Sequence, residues 1–143
     1  MNDQIKQKLL KYIMFKKRTE SEIRTKLKEI LAKSDCSELG NTNEFIDSLI
    51  EDLKEQGYIN DEKYIERSIS EFMNLKTLSI MEIKNKLLMK GLDKELIEQY
   101  INDNEEKLKE YELNSAKKIM EKKGKTLEPL EIRQYLMKRG YNA

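Results

Sequence analysis

The side chains in this sequence that could do chemistry are almost all charged. Among 143 residues there are 28 Lys or Arg and 27 Asp or Glu but no histidine, the side chain most often used as a general base or metal ligand. The acidic pairs Glu51-Asp52 and Glu105-Glu106 lie in helical patterns, where a solvent-exposed face accounts for them. We find no glycine-rich phosphate-binding loop and no nucleophile motif. The sequence therefore predicts no catalytic residue, and we do not expect an enzyme.

The single cysteine, Cys36, has neither a second cysteine nor a histidine with which to form a disulfide or a metal site. A lone thiol suits a reducing compartment. No apolar run approaches the roughly 20 residues that cross a bilayer, and the N-terminal residues lack the order of a secretory signal. We expect a cytoplasmic protein with no metal, no cofactor and no membrane partner.

Charge is distributed unevenly along the chain. Residues 1–42 carry a net charge of +4, residues 43–112 a net charge of −8, and residues 113–143 a net charge of +5. Basic ends around an acidic middle would let one chain contact phosphates and also a basic protein surface. Solvated helix faces in a chain rich in lysine and glutamate would give the same pattern.

The elements that position these charges come from an internal repeat. Three segments align without gaps, and each places a glutamate, an isoleucine, a basic residue and a leucine at the same positions. They are Thr19-Glu20-Ser21-Glu22-Ile23-Arg24, Ser79-Ile80-Met81-Glu82-Ile83-Lys84 and Glu128-Pro129-Leu130-Glu131-Ile132-Arg133, followed by Leu27, Leu87 and Leu136. Thr19 and Ser79 fit helix N-caps with a glutamate three residues later, and Pro129 fits a first helical position. Gly57, Gly91 and Gly140 are typical of helix ends.

An amphipathic stretch precedes each of these capped helices, and in the first two copies another follows. Five glycines and one proline, beside many Lys, Glu, Leu and Ile, favour helix over strand. We therefore predict an all-α fold of tandem three-helix repeats that form an elongated, curved array. The repeats span residues 3–57, 61–104 and 105–143, and the third copy lacks its third helix. We expect Asp61 to cap the first helix of copy two, and one continuous helix to run through residues 103–108.

The order of these motifs resembles the RecX family. The resemblance rests on three stretches, of which the Gly-Tyr-Ile-Asn-Asp link between copies one and two is the most specific. The stretches are Lys16-x-Arg18-Thr19-x-x-Glu22-Ile23-x-x-x-Leu27, Leu53-x-x-x-Gly57-Tyr58-Ile59-Asn60-Asp61-x-x-Tyr64-Ile65 and Glu82-Ile83-x-x-x-Leu87-x-x-x-Gly91-Leu92. The likeness spans nearly the whole chain and agrees with the tandem units inferred from the repeat.

The resemblance implies a regulator of DNA recombination, DNA repair and the SOS response. RecX proteins bind the filament that the RecA recombinase forms on single-stranded DNA, and they depress its ATP hydrolysis, strand exchange and co-protease activity. The expected partner is therefore the RecA filament, with single-stranded DNA contacted directly or through RecA. The protein is expected to act as a monomer, and the resemblance supplies no catalytic residue.

From charge we predict that basic side chains contact the filament or its DNA. A row of positive charge binds phosphates without reading sequence, and the binding weakens steeply with salt. Arg24, Lys84 and Arg133 hold one repeat position, and stacked repeats would align them. The predicted contacts are Lys16, Lys17, Arg18, Arg24, Lys84, Arg133, Lys138 and Arg139.

Two other functions fit the sequence. A DNA-binding module of the helix-turn-helix type also uses three-helix units, and it would bind duplex DNA with sequence preference, usually as a symmetric dimer. A helical adaptor that binds only proteins would show no salt-dependent affinity for nucleic acid. The occurrence of the repeat at three positions favours an extended array over a single recognition helix.

Overall fold

A computed structural model describes residues 2–33 and 42–141, which form α-helices and no strand. The helices are α1 (Asn2–Phe15), α2 (Glu20–Ala32), α3 (Thr42–Glu55), α4 (Asp61–Leu75), α5 (Ile80–Met89), α6 (Lys94–Asp103), α7 (Glu105–Lys123) and α8 (Pro129–Lys138). Within these residues the first two copies have three helices each and the third has two, and the predicted all-α fold of three-helix repeats is confirmed. None of the helices in these ranges is long and apolar enough to span a bilayer. Cys36 lies outside the described residues.

The first of two compact units comprises Met1–Tyr64 together with Lys90–Leu92. Its core lies between α1, α2 and α3, where apolar residues recur three or four positions apart and so share one face of each helix. Burying one such side chain contributes about 1.5–3 kcal/mol relative to leaving it in water. The core residues are Ile5, Leu9, Ile13, Ile23, Leu27, Ile30, Leu31, Ile46, Leu49, Ile50, Leu53 and Ile59.

The second unit comprises Ile65–Met89 together with Asp93–Ala143, and in it α7 packs against α5, α6 and α8. The buried Tyr111 of α7 donates its hydroxyl hydrogen to the carbonyl of Lys76 at 2.6 Å and accepts from the N–H of Leu78 at 3.0 Å. Both bonds satisfy backbone groups of the turn before α5. The division into two units does not test the predicted repeat boundaries, which stay predictions.

The capped helices begin as the sequence predicts. The Thr19 hydroxyl accepts from the N–H of Glu22 at 3.1 Å, and the Glu22 carboxylate accepts from the N–H of Thr19 at 3.0 Å. Ser79 and Glu82 repeat both bonds at 3.1 and 3.0 Å. Pro129 is the first residue of α8. The predicted caps are therefore confirmed.

The hydroxyls of Thr19 and Ser79, which are both fully buried, also act as donors. Thr19 donates to the carbonyl of Lys90 at 2.9 Å, and Ser79 donates to the carbonyl of Arg139 at 2.6 Å. In each case the accepting residue directly precedes a glycine that ends a helix. Each contact lies within one compact unit, and the same contact recurs in both.

Gly140 shows why a glycine stands at these helix ends. Its φ of +93° lies in the left-handed region, which side chains disfavour. The N–H of Gly140 bonds the carbonyl of Met137, and the N–H of Tyr141 bonds the carbonyl of Leu136, both at 3.0 Å, which closes the helix. A Cβ atom on Gly140 would also lie 2.9 Å from the Cβ of Met81. Backbone conformation and close approach both require glycine.

The predicted continuous helix through residues 103–108 is wrong. The chain leaves helical conformation at Asn104, with φ −121° and ψ 29°, so α6 and α7 are separate helices. The Asn104 side-chain amide donates to the carbonyl of Tyr100 at 2.9 Å. Such local side-chain bonds compete with helix continuation, and asparagine forms them readily.

The predicted cap of α4 is wrong by one residue. Asn60, and not Asp61, accepts from the N–H of Lys63, at 3.1 Å. The Asp61 carboxylate instead accepts from the N–H of Glu20 at 3.0 Å, at the start of α2. Burial raises the pKa of Asp61. Asp61 therefore joins the start of α4 to the start of α2 within the first unit.

Candidate functional site

Arg24 and Lys84, two of the three bases at the recurring repeat position, form ion pairs within the protein. Arg24 Nη1 lies 2.7 Å from Asp47 Oδ1, and Lys84 Nζ lies 2.8 Å from Glu98 Oε1. The hydrogen bond to Asp47 raises the pKa of Arg24, and the hydrogen bond from Lys84 lowers the pKa of Glu98. An acid on the next helix therefore offsets each positive charge, and only Arg133 of the predicted row is left without such a partner in the described ranges.

Arg139 is engaged inside its own unit. Its Nε donates to both carboxylate oxygens of Glu82, at 3.1 and 3.2 Å, and its Nη2 donates to the carbonyl of Thr77 at 2.7 Å. Its side chain is only 24% exposed. These bonds hold the end of α8 against the start of α5, which leaves Arg139 few donors for a ligand.

We expect the Arg139–Glu82 pair to make stability depend on acid. Partial burial raises the pKa of Glu82, but the hydrogen bond from Arg139, the hydrogen bonds from Ser79 and the charge of Arg139 together outweigh it, so the pKa lies below the ordinary 4.5. A group with a lowered pKa stabilises the fold above its unfolded-state pKa, and the contribution is lost as pH falls through the folded-state pKa. Arg139→Met should therefore lower the free energy of unfolding by about 1–3 kcal/mol at pH 7, and by less at pH 3, where only pH-independent bonds such as that to the carbonyl of Thr77 are still lost.

Urea denaturation followed by circular dichroism at both pH values measures this difference. Lys138→Met is the matched control, because Lys138 is exposed and forms no ion pair with a described residue. A deficit of Arg139→Met that is the same at pH 3 and pH 7 would contradict the role given to the pair.

Lys16, Lys17 and Lys138 are exposed and, like Arg133, have no acidic partner in the described part of the chain. Arg18 is half-buried, and its guanidinium lies over the ring of Tyr12 at 3.9 Å. The eight predicted contacts thus fall into two groups. Arg24, Lys84 and Arg139 are used internally, whereas the others present charge that no acid neutralises.

The structure brings Lys16, Lys17 and Arg18 together along one open groove of about 460 Å³ in the first unit. We call it the basic groove. Its other lining residues are Ile13, Met14, Gly57, Tyr58, Asn60, Lys63 and Tyr64. Four of the ten lining residues are basic and none is acidic, so the groove is suited to an anion.

Two lining residues that could contact an anionic partner were not among the contacts predicted from the sequence. Lys63 is exposed near the start of α4, and Tyr58 is 40% exposed in the link before it. The packing of the first unit brings this link beside the loop from α1 to α2, and no local pattern signals that approach. The described residues hold no group of three side chains that could bind a metal ion.

Fold and groove together define a helical tandem-repeat protein with a positively charged groove. No protein-family model matches the chain. It is 35% identical over 119 residues to the regulatory protein RecX of Lactococcus lactis subsp. lactis (strain IL1403), which covers 82% of this chain and 40% of the relative. The regulatory protein RecX of Lactococcus lactis subsp. cremoris (strain MG1363) is 31% identical over 139 residues, or 93% of this chain and 49% of the relative. The chain is thus a relative of the RecX regulatory proteins, and the predicted resemblance is confirmed.

Two crystal structures share the fold. A regulatory protein RecX matches with a TM-score of 0.77 at 22% identity, over 99% of this chain and 68% of that one. RecX from Lactobacillus salivarius matches with a TM-score of 0.75 at 24% identity, over 99% of this chain and 91% of that one. The chain spans less than half the length of the two lactococcal relatives.

Proposed function

We propose that this chain binds the RecA filament on single-stranded DNA and depresses its ATP hydrolysis, strand exchange and co-protease activity. The observation that carries the proposal is the basic groove in a chain related to RecX regulatory proteins. The protein acts by binding and not by catalysis, as a cytoplasmic monomer. The chain contacts several RecA protomers at once, and linking weak sites in one chain raises the overall affinity, because it raises their effective concentration.

The basic groove supplies the contact to the anionic partner. Lys16, Lys17 and Lys63 would neutralise neighbouring phosphates, which releases counterions and gives affinity without sequence preference. The half-exposed ring of Tyr58 offers a surface on which a base can stack, worth about 1–3 kcal/mol per base. A groove that joins cations to an aromatic ring suits single strands better than duplex.

Co-sedimentation of the chain with RecA filaments on single-stranded DNA tests the proposal. The filaments are stabilised with a non-hydrolysable nucleotide. Binding of the chain to them is compared with its binding to duplex DNA and to RecA alone. Pelleting with the filament supports the proposal. Sequence-dependent binding to duplex alone would point to a helix-turn-helix module. Binding to RecA alone, with no salt-dependent affinity for nucleic acid, would point to a protein-only adaptor.

We expect the double variant Lys16→Glu/Lys17→Glu to weaken binding to single-stranded DNA by tenfold or more. Loss of two phosphate contacts should also reduce the slope of log affinity against log salt concentration by about 1.4, since each contact contributes about 0.7 to that slope. Fluorescence anisotropy of a labelled oligonucleotide at several salt concentrations measures both effects.

The matched control for that variant is Lys8→Glu/Lys28→Glu, which changes the net charge equally at exposed positions away from the basic groove. It should alter the affinity far less. Equal losses from both double variants would show that net charge, and not the groove, governs binding.

A further inference from the structure

The basic groove has two walls, which come from separate parts of the first unit. One wall is the end of α1 and the loop after it, and this wall carries Lys16 and Lys17. The other wall is the link before α4 and the first turn of α4, and it carries Tyr58 and Lys63. Because lysines stand on both walls, one nucleic-acid strand can contact both only while the walls keep a fixed separation.

Hydrogen bonds anchor each wall to a helix of its own. The Arg18 guanidinium donates to the carbonyl of Tyr12 at 3.4 Å, which holds the loop to α1. The N–H groups of Tyr58 and Ile59 donate to the carbonyl of Leu53, at 2.9 and 3.3 Å, and they hold the link to α3. None of these three bonds joins one wall to the other.

The Asp61 carboxylate does join the two walls. Asp61 directly follows Asn60 of the link. Its carboxylate accepts from the N–H of Glu20 at 3.0 Å, and Glu20 lies two residues after Arg18. Apolar packing is not directional, whereas a hydrogen bond fixes both a distance and an angle. Asp61 does not itself line the basic groove, so it acts on the groove through the position of the wall residues.

The second unit contains the same kind of bond. The Glu112 carboxylate of α7 accepts from the N–H of Ile80, the first residue of α5, at 2.7 Å. In both units a carboxylate therefore satisfies the first N–H of the helix that follows a buried Thr or Ser cap. Neither Glu112 nor Ile80 lines the basic groove, so Glu112 provides a matched control for Asp61.

We propose that Asp61 is a positioning residue of the basic groove. Its bond to Glu20 holds Lys63 at the distance from the opposite lysines that lets a single strand bind both walls. Without this bond the start of α4 is released from the start of α2, and Lys63 no longer reaches the strand that the other wall holds. The inference rests on the proposed function, because it assigns the geometry of the same groove.

Asp61→Ala is expected to remove one phosphate contact from the binding of single-stranded DNA. One contact contributes about 0.7 to the slope of log affinity against log salt concentration, so the slope should fall by about 0.7 and the affinity at about 0.1 M salt by about fivefold. Asp61→Asn should keep the wild-type slope, since its amide oxygen can accept from the same N–H. Fluorescence anisotropy of a labelled oligothymidine measures both quantities, and Glu112→Ala should change neither.

A double-mutant cycle with Lys63 separates positioning from a general loss of stability. Lys63→Gln removes the same contact directly, so adding Asp61→Ala to it should cause almost no further loss of affinity. Additive losses would overturn the proposal. So would an Asp61→Ala variant with unchanged affinity and slope, or an Asp61→Asn variant that loses as much as Asp61→Ala.

A distance measurement tests the bond between the walls without any nucleic acid. Spin labels at position 8 of α1 and position 63 of α4, both exposed, report the separation by double electron–electron resonance in a chain with Cys36→Ser. Wild type and Asp61→Asn should give the same narrow distribution, and Asp61→Ala a broader one. A distribution that Asp61→Ala leaves unchanged would overturn the positioning role alone. If the wild-type chain bound neither single-stranded DNA nor the filament, the proposed function itself would fail, whichever distances were found.

Discussion

Replacing Ile83 with alanine is expected to lower the free energy of unfolding by about 2–5 kcal/mol. Ile83 lies on α5 and is 0% exposed, so the substitution removes buried apolar surface and leaves a cavity that the packed helices fill only in part. A loss of this size is a large fraction of the stability of a small domain. Urea denaturation followed by circular dichroism measures it.

The control for that variant is Leu113→Ala in the same unit. Leu113 lies on α7 and is 56% exposed, so its truncation should cost well under 1 kcal/mol. Ile132→Ala should fall between the two, because Ile132 holds the repeat position of Ile83 on the less covered α8. Equal losses at positions 83 and 113 would contradict the described packing of α5.

Gly140→Ala should destabilise the second unit by about 2–4 kcal/mol. An alanine at a φ of +93° costs about 1–2 kcal/mol, since its Cβ crowds the backbone. The added Cβ would also lie 2.9 Å from the Cβ of Met81 and 3.2 Å from the hydroxyl of Ser79, so α5 must shift. The same denaturation experiment reports the loss.

Gly57→Ala separates the cost of the left-handed backbone conformation from the cost of close approach to α5. Gly57 has nearly the same backbone angle, with φ +82°, but its added Cβ would meet no atom within 4 Å. This variant should therefore lose only the backbone part, about 1–2 kcal/mol. If Gly57→Ala proved as damaging as Gly140→Ala, close approach to Met81 would not be what fixes glycine at position 140.

Features set by local chemistry were predictable from the sequence. The caps at Thr19 and Ser79 and the glycines at helix ends depend on bonds within a few residues, and all were confirmed. The helix break at Asn104 was not predicted, because no proline or glycine lies near it. The bond from its side chain to the carbonyl of Tyr100 is one of several that an asparagine can form. At the start of α4, Asn60 and Asp61 are both good caps, and only the contact of Asp61 with Glu20 decides between them.

The site was less predictable, because whether a basic side chain is paired with an acid depends on which residues pack beside it. Arg24, Lys84 and Arg133 look alike in sequence, yet acids on α3 and α6 engage the first two. The motif Lys16-Lys17-Arg18 was found from charge density alone. Lys63 is 45 residues further along the chain than Arg18, and only tertiary packing places both on the basic groove.

Regulation of the RecA filament is best tested by the rate at which RecA hydrolyses ATP on single-stranded DNA while this protein is titrated at substoichiometric amounts. The proposed function predicts clear inhibition, and it predicts that Lys16→Glu/Lys17→Glu inhibits much less than Lys8→Glu/Lys28→Glu. An unchanged rate at saturating protein, with filaments that do not bind the chain, would contradict it.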